Sequence, residues 1–126
     1  MPDENIKKLL SKMQYMYYQT ELDGSEVDFR EFISGLKEGG SFRGIIHTQK
    51  FIKVEKGPKE EELEDSYVLL DKGKIKLAIL VNKGIRTGKN ALKNIKNPDE
   101  IKYTRLNDEK LREIIKKAKE ADVLIE

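Results

Sequence analysis

The sequence predicts an α+β domain: a mostly antiparallel sheet of about five strands, with two N-terminal helices, a short inserted helix and a C-terminal helix packed on it. Three observations carry that prediction. Apolar residues recur at helical spacing near both ends, as in Ile6, Leu9, Leu10 and Met13, and again in Leu111, Ile114, Ile115 and Ala118. The middle of the chain switches to β-rich, partly alternating runs. Between two of those runs stands Asp71-Lys72-Gly73, a tight-turn signature of a hairpin. At 126 residues the chain is read as one domain, 1–126, long enough to bury a core without staples.

Taken in order, a first helix is expected over about Glu4–Tyr18, with Asp3 as its N-cap and Met16 and Tyr17 extending its apolar stripe. Glu21–Ser25, containing Asp23-Gly24, reads as a loop. A second helix covers about Asp28–Lys37, capped by Asp28 or Ser25, with Phe29, Phe32, Ile33 and Leu36 on one side. Gly39-Gly40 ends it where a left-handed residue is wanted. Ser41–Thr48 and Lys50–Lys56 read as two strands, the second broken by Gly57-Pro58, and Lys59–Asp65 as an acidic surface loop. Tyr67–Leu70 and Lys74–Val81 form the hairpin, central to the sheet. In its second strand Ile75, Leu77, Ile79 and Val81 share one face, and Lys74, Lys76, Ala78 and Leu80 the other. After a loop at Ile85–Gly88, a short helix over Lys89–Lys96 follows a Thr87 cap, and Asn97-Pro98 stops it. Ile101–Leu106 reads as an edge strand. A last helix, about Glu109–Ala121, is capped by Asn107 or Asp108, and Val123-Leu124-Ile125 packs down behind it or adds a strand. The pattern places the helices on one face of the sheet.

Composition narrows the chemistry. The chain has no cysteine, which removes disulfides, thiolate metal sites and cysteine nucleophiles, and fits a reducing, cytoplasmic setting. No apolar run is long enough to span a bilayer, and the N-terminus has no apolar core of a signal peptide. Charged residues make up 38% of the chain, with Lys and Glu dominant and Trp absent, a composition common in proteins from hot environments.

No catalytic, cofactor-binding or metal-ligating set emerges. The only histidine, His47, lies in a predicted strand, without a nucleophile-elbow pattern or a second metal-binding partner, and reads as a strand histidine with an ordinary hydrogen bond. The acids around Glu60–Asp65 read as a solvated run. A carboxylate-and-lysine nuclease needs an acid two residues before a strand lysine, whereas Lys72 and Lys74 precede Lys74 and Lys76. The glycines of NKGIRTGKNA match neither phosphate-binding spacing.

Two surfaces stand out. From Lys72 to Pro98 there is no acid, while Lys72, Lys74, Lys76, Lys83, Arg86, Lys89, Lys93 and Lys96 contribute eight positive charges to a chain whose net charge is only +2. Such a span predicts weak, salt-sensitive binding of anions or nucleic acid, without aromatic stacking. Interleaving with the acids elsewhere in the chain is the ordinary alternative. Tyr15, Met16, Tyr17 and Tyr18 are more apolar surface than one helix face hides, which predicts contact with another chain in a homodimer.

One stretch, FISGLKEGGSFRGII…YVLLDKGKIKLAIL…GKNALKNI, resembles the PATAN domain and its uncharacterised archaeal relatives, and KYTRLNDEKLREIIKKA is similar to the strand and helix that follow in those relatives. The resemblance covers roughly Asp28–Ala118, and its motifs are structural. Gly73 suits the hairpin turn, Gly44 permits close backbone approach, and Ala78 and Ala91 permit tight strand–helix packing. The resemblance implies a small regulatory or protein-interaction module, not an enzyme. The acidic insertion Gly57–Asp65 departs from the family pattern. The expected function is therefore protein–protein interaction with a partner of unknown identity. Anion or nucleic-acid binding through the basic span is the alternative, and an enzyme of unrecognised type a further one.

Overall fold

The computed structural model describes the backbone of residues 2–53 and 61–125 and the side chains of 4–51 and 63–125. In chain order the elements are α1 (Pro2–Gln14), β1 (Thr20–Asp23), a 3₁₀ turn (Gly24–Glu26), α2 (Phe29–Gly39), β2 (Gly44–Lys53), β3 (Glu61–Asp71), β4 (Lys74–Asn82), β5 (Gly84–Thr87), α3 (Gly88–Asn94), β6 (Glu100–Arg105) and α4 (Asp108–Glu120). The six strands form one sheet in the order β1-β6-β2-β3-β4-β5, every pair antiparallel.

Local chemistry explains most boundaries. Asp28 caps α2, its carboxylate accepting from the amides of Arg30 and Glu31, and Gly40 closes the helix in the left-handed region at φ 67°. Asn107 caps α4 by accepting from Lys110 N–H. Thr87 stands at the N-cap of α3 without a side-chain hydrogen bond. The β3–β4 hairpin turns through Lys72 and Gly73, both at positive φ. A Cβ on Gly73 would come within 2.7 Å of the Lys37 carbonyl, so only glycine lets the turn sit against the end of α2.

Several expectations are corrected. The two strands expected at 41–48 and 50–56 are one continuous strand, β2, because nothing interrupts its pairing from Gly44↔Leu70 to Lys53↔Glu61. The expected strand end at 54–56, the Gly57-Pro58 break and the start of the acidic run at 59–60 lie outside the described residues. The rest of that run is strand: Glu61–Asp65 belong to β3. Two strands arise where loops were expected. β1 holds to β6 from Thr20↔Tyr103 to Asp23↔Glu100, and β5 holds to β4. Because β1 covers its outer side, β6 is not an edge strand.

The helices lie on both faces of the sheet, not on one. α1 and α4 cover Ile45, Tyr67, Leu69, Leu77 and Ile79. α2 and α3 cover Ile46, Val68, Leu70, Ala78 and Leu80. Neighbours along each central strand thus enter opposite cores. Unbroken apolar runs such as Val68-Leu69-Leu70 and Leu77-Ala78-Ile79-Leu80 require cover on both sides, as in sheets buried on two faces. The two faces of β4 also exchange at a bulge. Leu69 pairs with Leu77 but Leu70 pairs with Ile75, leaving Lys76 unopposed. Ile75 therefore packs with the α2/α3 core while Leu77 packs with the α1/α4 core. The carbonyl of Lys76 accepts from Ile125 N–H at 2.7 Å, which ties the C-terminal segment to the sheet and leaves Val123 buried beneath it.

Candidate functional site

α1 ends at Gln14, four residues earlier than its apolar stripe suggests, and the chain crosses the sheet as Tyr15–Gln19 before entering β1. This crossing decides the fate of the tyrosines. Met16 and Tyr18 pack against the α1/α4 core, while Tyr15 and Tyr17 are each 81% exposed. A helix would have placed the four around an arc. The non-helical run instead alternates them in and out.

Beneath the crossing, β2 and β3 present a polar row on the α1/α4 face. His47 is 6% exposed, and its Nε2 lies 2.9 Å from Asp65 Oδ1. Gln49 Nε2 donates to the same oxygen at 3.1 Å. The imidazole stacks on Tyr67 with centroids 4.4 Å apart and planes 8° apart, and Tyr18 leans on it at 5.5 Å. Tyr18 Oη donates to the Met13 carbonyl at 2.7 Å, which fixes the ring. Burial works to raise Asp65, but the hydrogen bonds from His47 and Gln49 and the His47 charge prevail and hold its carboxyl below the usual range. An ionised Asp65 accepts only, so the proton between it and His47 sits on Nε2. Tyr67 is pushed up by burial and then by the Asp65 charge, and Tyr18 by burial and then by Tyr67.

Between the crossing and this row opens a cleft of about 420 Å³, whose rim includes Tyr15, Tyr17, Glu21, His47, Gln49 and Lys102. Lys102 pairs with Glu100 at 3.6 Å. A shared hydrogen bond with Glu100, and then the Glu100 charge, raise Glu21 above the ordinary carboxylate range. Phe51 and Leu63, opposite one another in the β2–β3 ladder, continue the row outward and are both exposed. The arrangement offers aromatic contact area beside a few polar groups. The buried hydroxyls of Thr48 and Ser66 bond each other in the next ladder pair, whose side chains alternate to the opposite face of β2 and β3.

The basic residues are spread along β4, β5 and α3. Lys72 and Lys74 stand at the hairpin end of β4 and Lys76 in its bulge. Lys83 follows the other end of that nine-residue strand, roughly 27 Å from Lys74 at the usual rise, and Arg86 on β5 stands across from Leu80, roughly 20 Å from Lys74. Lys89 and Lys93 are exposed on α3. Arg86 and Lys96 converge on a common recess, with Glu64, Asn82 and Asn94. Glu64 accepts from Asn82 Nδ2 at 3.2 Å.

The sequence reading placed the tyrosines at a surface and gave His47 one ordinary hydrogen bond. It missed Asp65, Gln49 and Lys102. Period-2 alternation through β2 would have put His47 and Gln49 on one face, but the register that brings Asp65 opposite them is long-range. Among the described residues, no group of three or more His, Asp or Glu side chains is placed to hold a metal ion, and no helix is long and apolar enough to cross a membrane. No family profile, curated protein or solved structure matches the chain.

Proposed function

We propose that the chain is a non-enzymatic protein-interaction module, and that it docks a second copy of itself through the aromatic face around Tyr15 and Tyr17. One observation carries this reading: two tyrosines, each 81% exposed, flank a cleft on the face where Phe51 and Leu63 are also exposed. Aromatic side chains of this kind supply much of the energy of protein interfaces. The rim carries both signs of charge, Glu21 and Lys102. Glu21 and Lys102 stand opposite one another in the β1–β6 ladder, and a rim with both signs of charge suits an isologous interface, in which the same patch meets itself. His47, held between Asp65 and two tyrosine rings, braces the floor of that surface. The resemblance to PATAN modules supports the same reading. The division of the basic residues between the two ends of β4 weighs against a nucleic-acid surface.

Sedimentation equilibrium at tens of micromolar tests it. The wild-type chain is expected to dimerise. The double substitution Tyr15→Asp/Tyr17→Asp, at positions outside the core, is expected to weaken the dimer by about a hundredfold while leaving the thermal midpoint of the monomer unchanged. A wild-type monomer throughout that range would refute homotypic docking.

A further inference from the structure

The geometry points to a second site, independent of the tyrosine face: the recess between the β4–β5 ladder and the chain leaving α3 binds a small phosphomonoester, of the size of a pentose phosphate or mononucleotide. Arg86 lies across from Leu80 in the β4–β5 ladder. Its side chain therefore stands on the α2/α3 face. Asn82 shares that face, and Glu64 reaches the same end from β3, two positions from Ser66, which itself opposes Leu80. From the other side, the last turn of α3 and the residues after it bring Asn94 and Lys96 to the opening. The recess holds about 460 Å³, within the range of small-molecule sites.

Its electrostatics are unbalanced. Among the described residues Arg86 and Lys96 enter no ion pair, and the one carboxylate that lines the recess, Glu64, takes a hydrogen bond from Asn82 and makes no ion pair with either cation. Two cations facing one carboxylate leave a positive recess at neutral pH. A guanidinium and an ammonium together suit a phosphomonoester, which carries between one and two negative charges there, better than a single carboxylate. Glu64 then has acceptor capacity for the hydroxyl groups of an attached sugar, and Leu80 supplies an apolar wall. A polynucleotide fits less well. Among the described residues no aromatic side chain lines the recess, Lys72 and Lys74 stand at the far end of β4, and Glu64 repels a second phosphate.

Amide-resolved NMR titration with a pentose phosphate, adenosine monophosphate, the free pentose and inorganic phosphate tests the site at constant ionic strength. The two phosphomonoesters are expected to shift amides of Asn82–Thr87 and Asn94–Lys96 at millimolar concentration or below, and the free pentose is not. Arg86→Gln/Lys96→Gln is expected to weaken binding by about tenfold or more, with the rest of the spectrum retained as evidence of an intact fold. Glu64→Gln is expected to weaken the pentose phosphate while leaving or improving binding of inorganic phosphate, which has no sugar hydroxyls and is repelled by the carboxylate. Absence of shifts with both phosphomonoesters, or shifts that survive the double substitution, would overturn the site. So would an RNA oligonucleotide binding more tightly, with shifts spread over Lys89 and Lys93, since that marks a polyanion surface instead.

Discussion

Adjacent residues of β4 enter different cores, so a matched pair of substitutions reads the layer architecture directly. Leu77 and Ala78 are both 0% exposed. Leu77 packs among Leu69, Ile79 and the α1/α4 side chains, and Ala78 among Val68, Leu80 and Ala91 of α3. Leu77→Ala removes a fully enclosed side chain from a site walled by two helices, which places its cost at about 2–5 kcal/mol. Ala78→Leu adds three carbons where α3 lies against the strand, an overpacking worth about 1–3 kcal/mol. With a urea slope of about 1–3 kcal/mol/M for a chain of this size, a 3 kcal/mol loss lowers the midpoint by about 1–3 M. Urea denaturation followed by circular dichroism measures both variants at unchanged slope. If the helices covered one face only, Ala78 would look into solvent and Ala78→Leu would be nearly neutral. A change below about 0.5 kcal/mol at Ala78 would therefore refute the second helical layer, whatever Leu77 does.

Three further outcomes are expected. Gly44→Ala places a Cβ inside contact distance of the Thr104 carbonyl and 2.9 Å from the Phe42 ring, so it should destabilise by about 1–3 kcal/mol, whereas Gly84→Ala, with open space around it, should cost well under 1; equal thermal shifts would contradict the close approach of β2 and β6. Asp65 is held below its ordinary value in the folded chain, so the unfolded state binds more protons and stability rises with pH through that range; wild type and Asp65→Asn should converge below about pH 3.9 and separate above it, and parallel urea midpoints from acid to neutral pH would remove the role assigned to His47 and Gln49. Tyr18 and Tyr67 are raised, so their contribution is complete below about pH 10 and is lost as the unfolded state ionises above it; Tyr67→Phe should blunt that alkaline loss, and an unchanged profile would count against it.

Much of the frame was legible in the residues alone. Helical spacing located α2 and α4, Thr87 and Asn97-Pro98 bracketed α3, which ends at Asn94 rather than Lys96, Asp28 and Asn107 cap the helices they precede, Gly40 adopts the left-handed conformation expected at a helix end, and the Asp71-Lys72-Gly73 turn joins a hairpin that lies inside the sheet. These features depend on contacts within a few positions in the chain, so composition and period suffice to set them. β1, β5 and the bulge at Lys76 depend on partners far away or on a two-against-one register, and no local pattern encodes either. The helix that periodicity extends to Tyr18 stops at Gln14, and the crossing that follows is what sends Tyr15 and Tyr17 to solvent. Tertiary pairing likewise set Asp65 beside His47 and brought Arg86 and Lys96 to one recess. Sequence determined which segments are helix and hairpin, because those rest on local hydrogen bonds and side-chain period. Only the folded sheet decided which faces are covered and which side chains meet, because side chains distant in the chain come together through strand register and layer order.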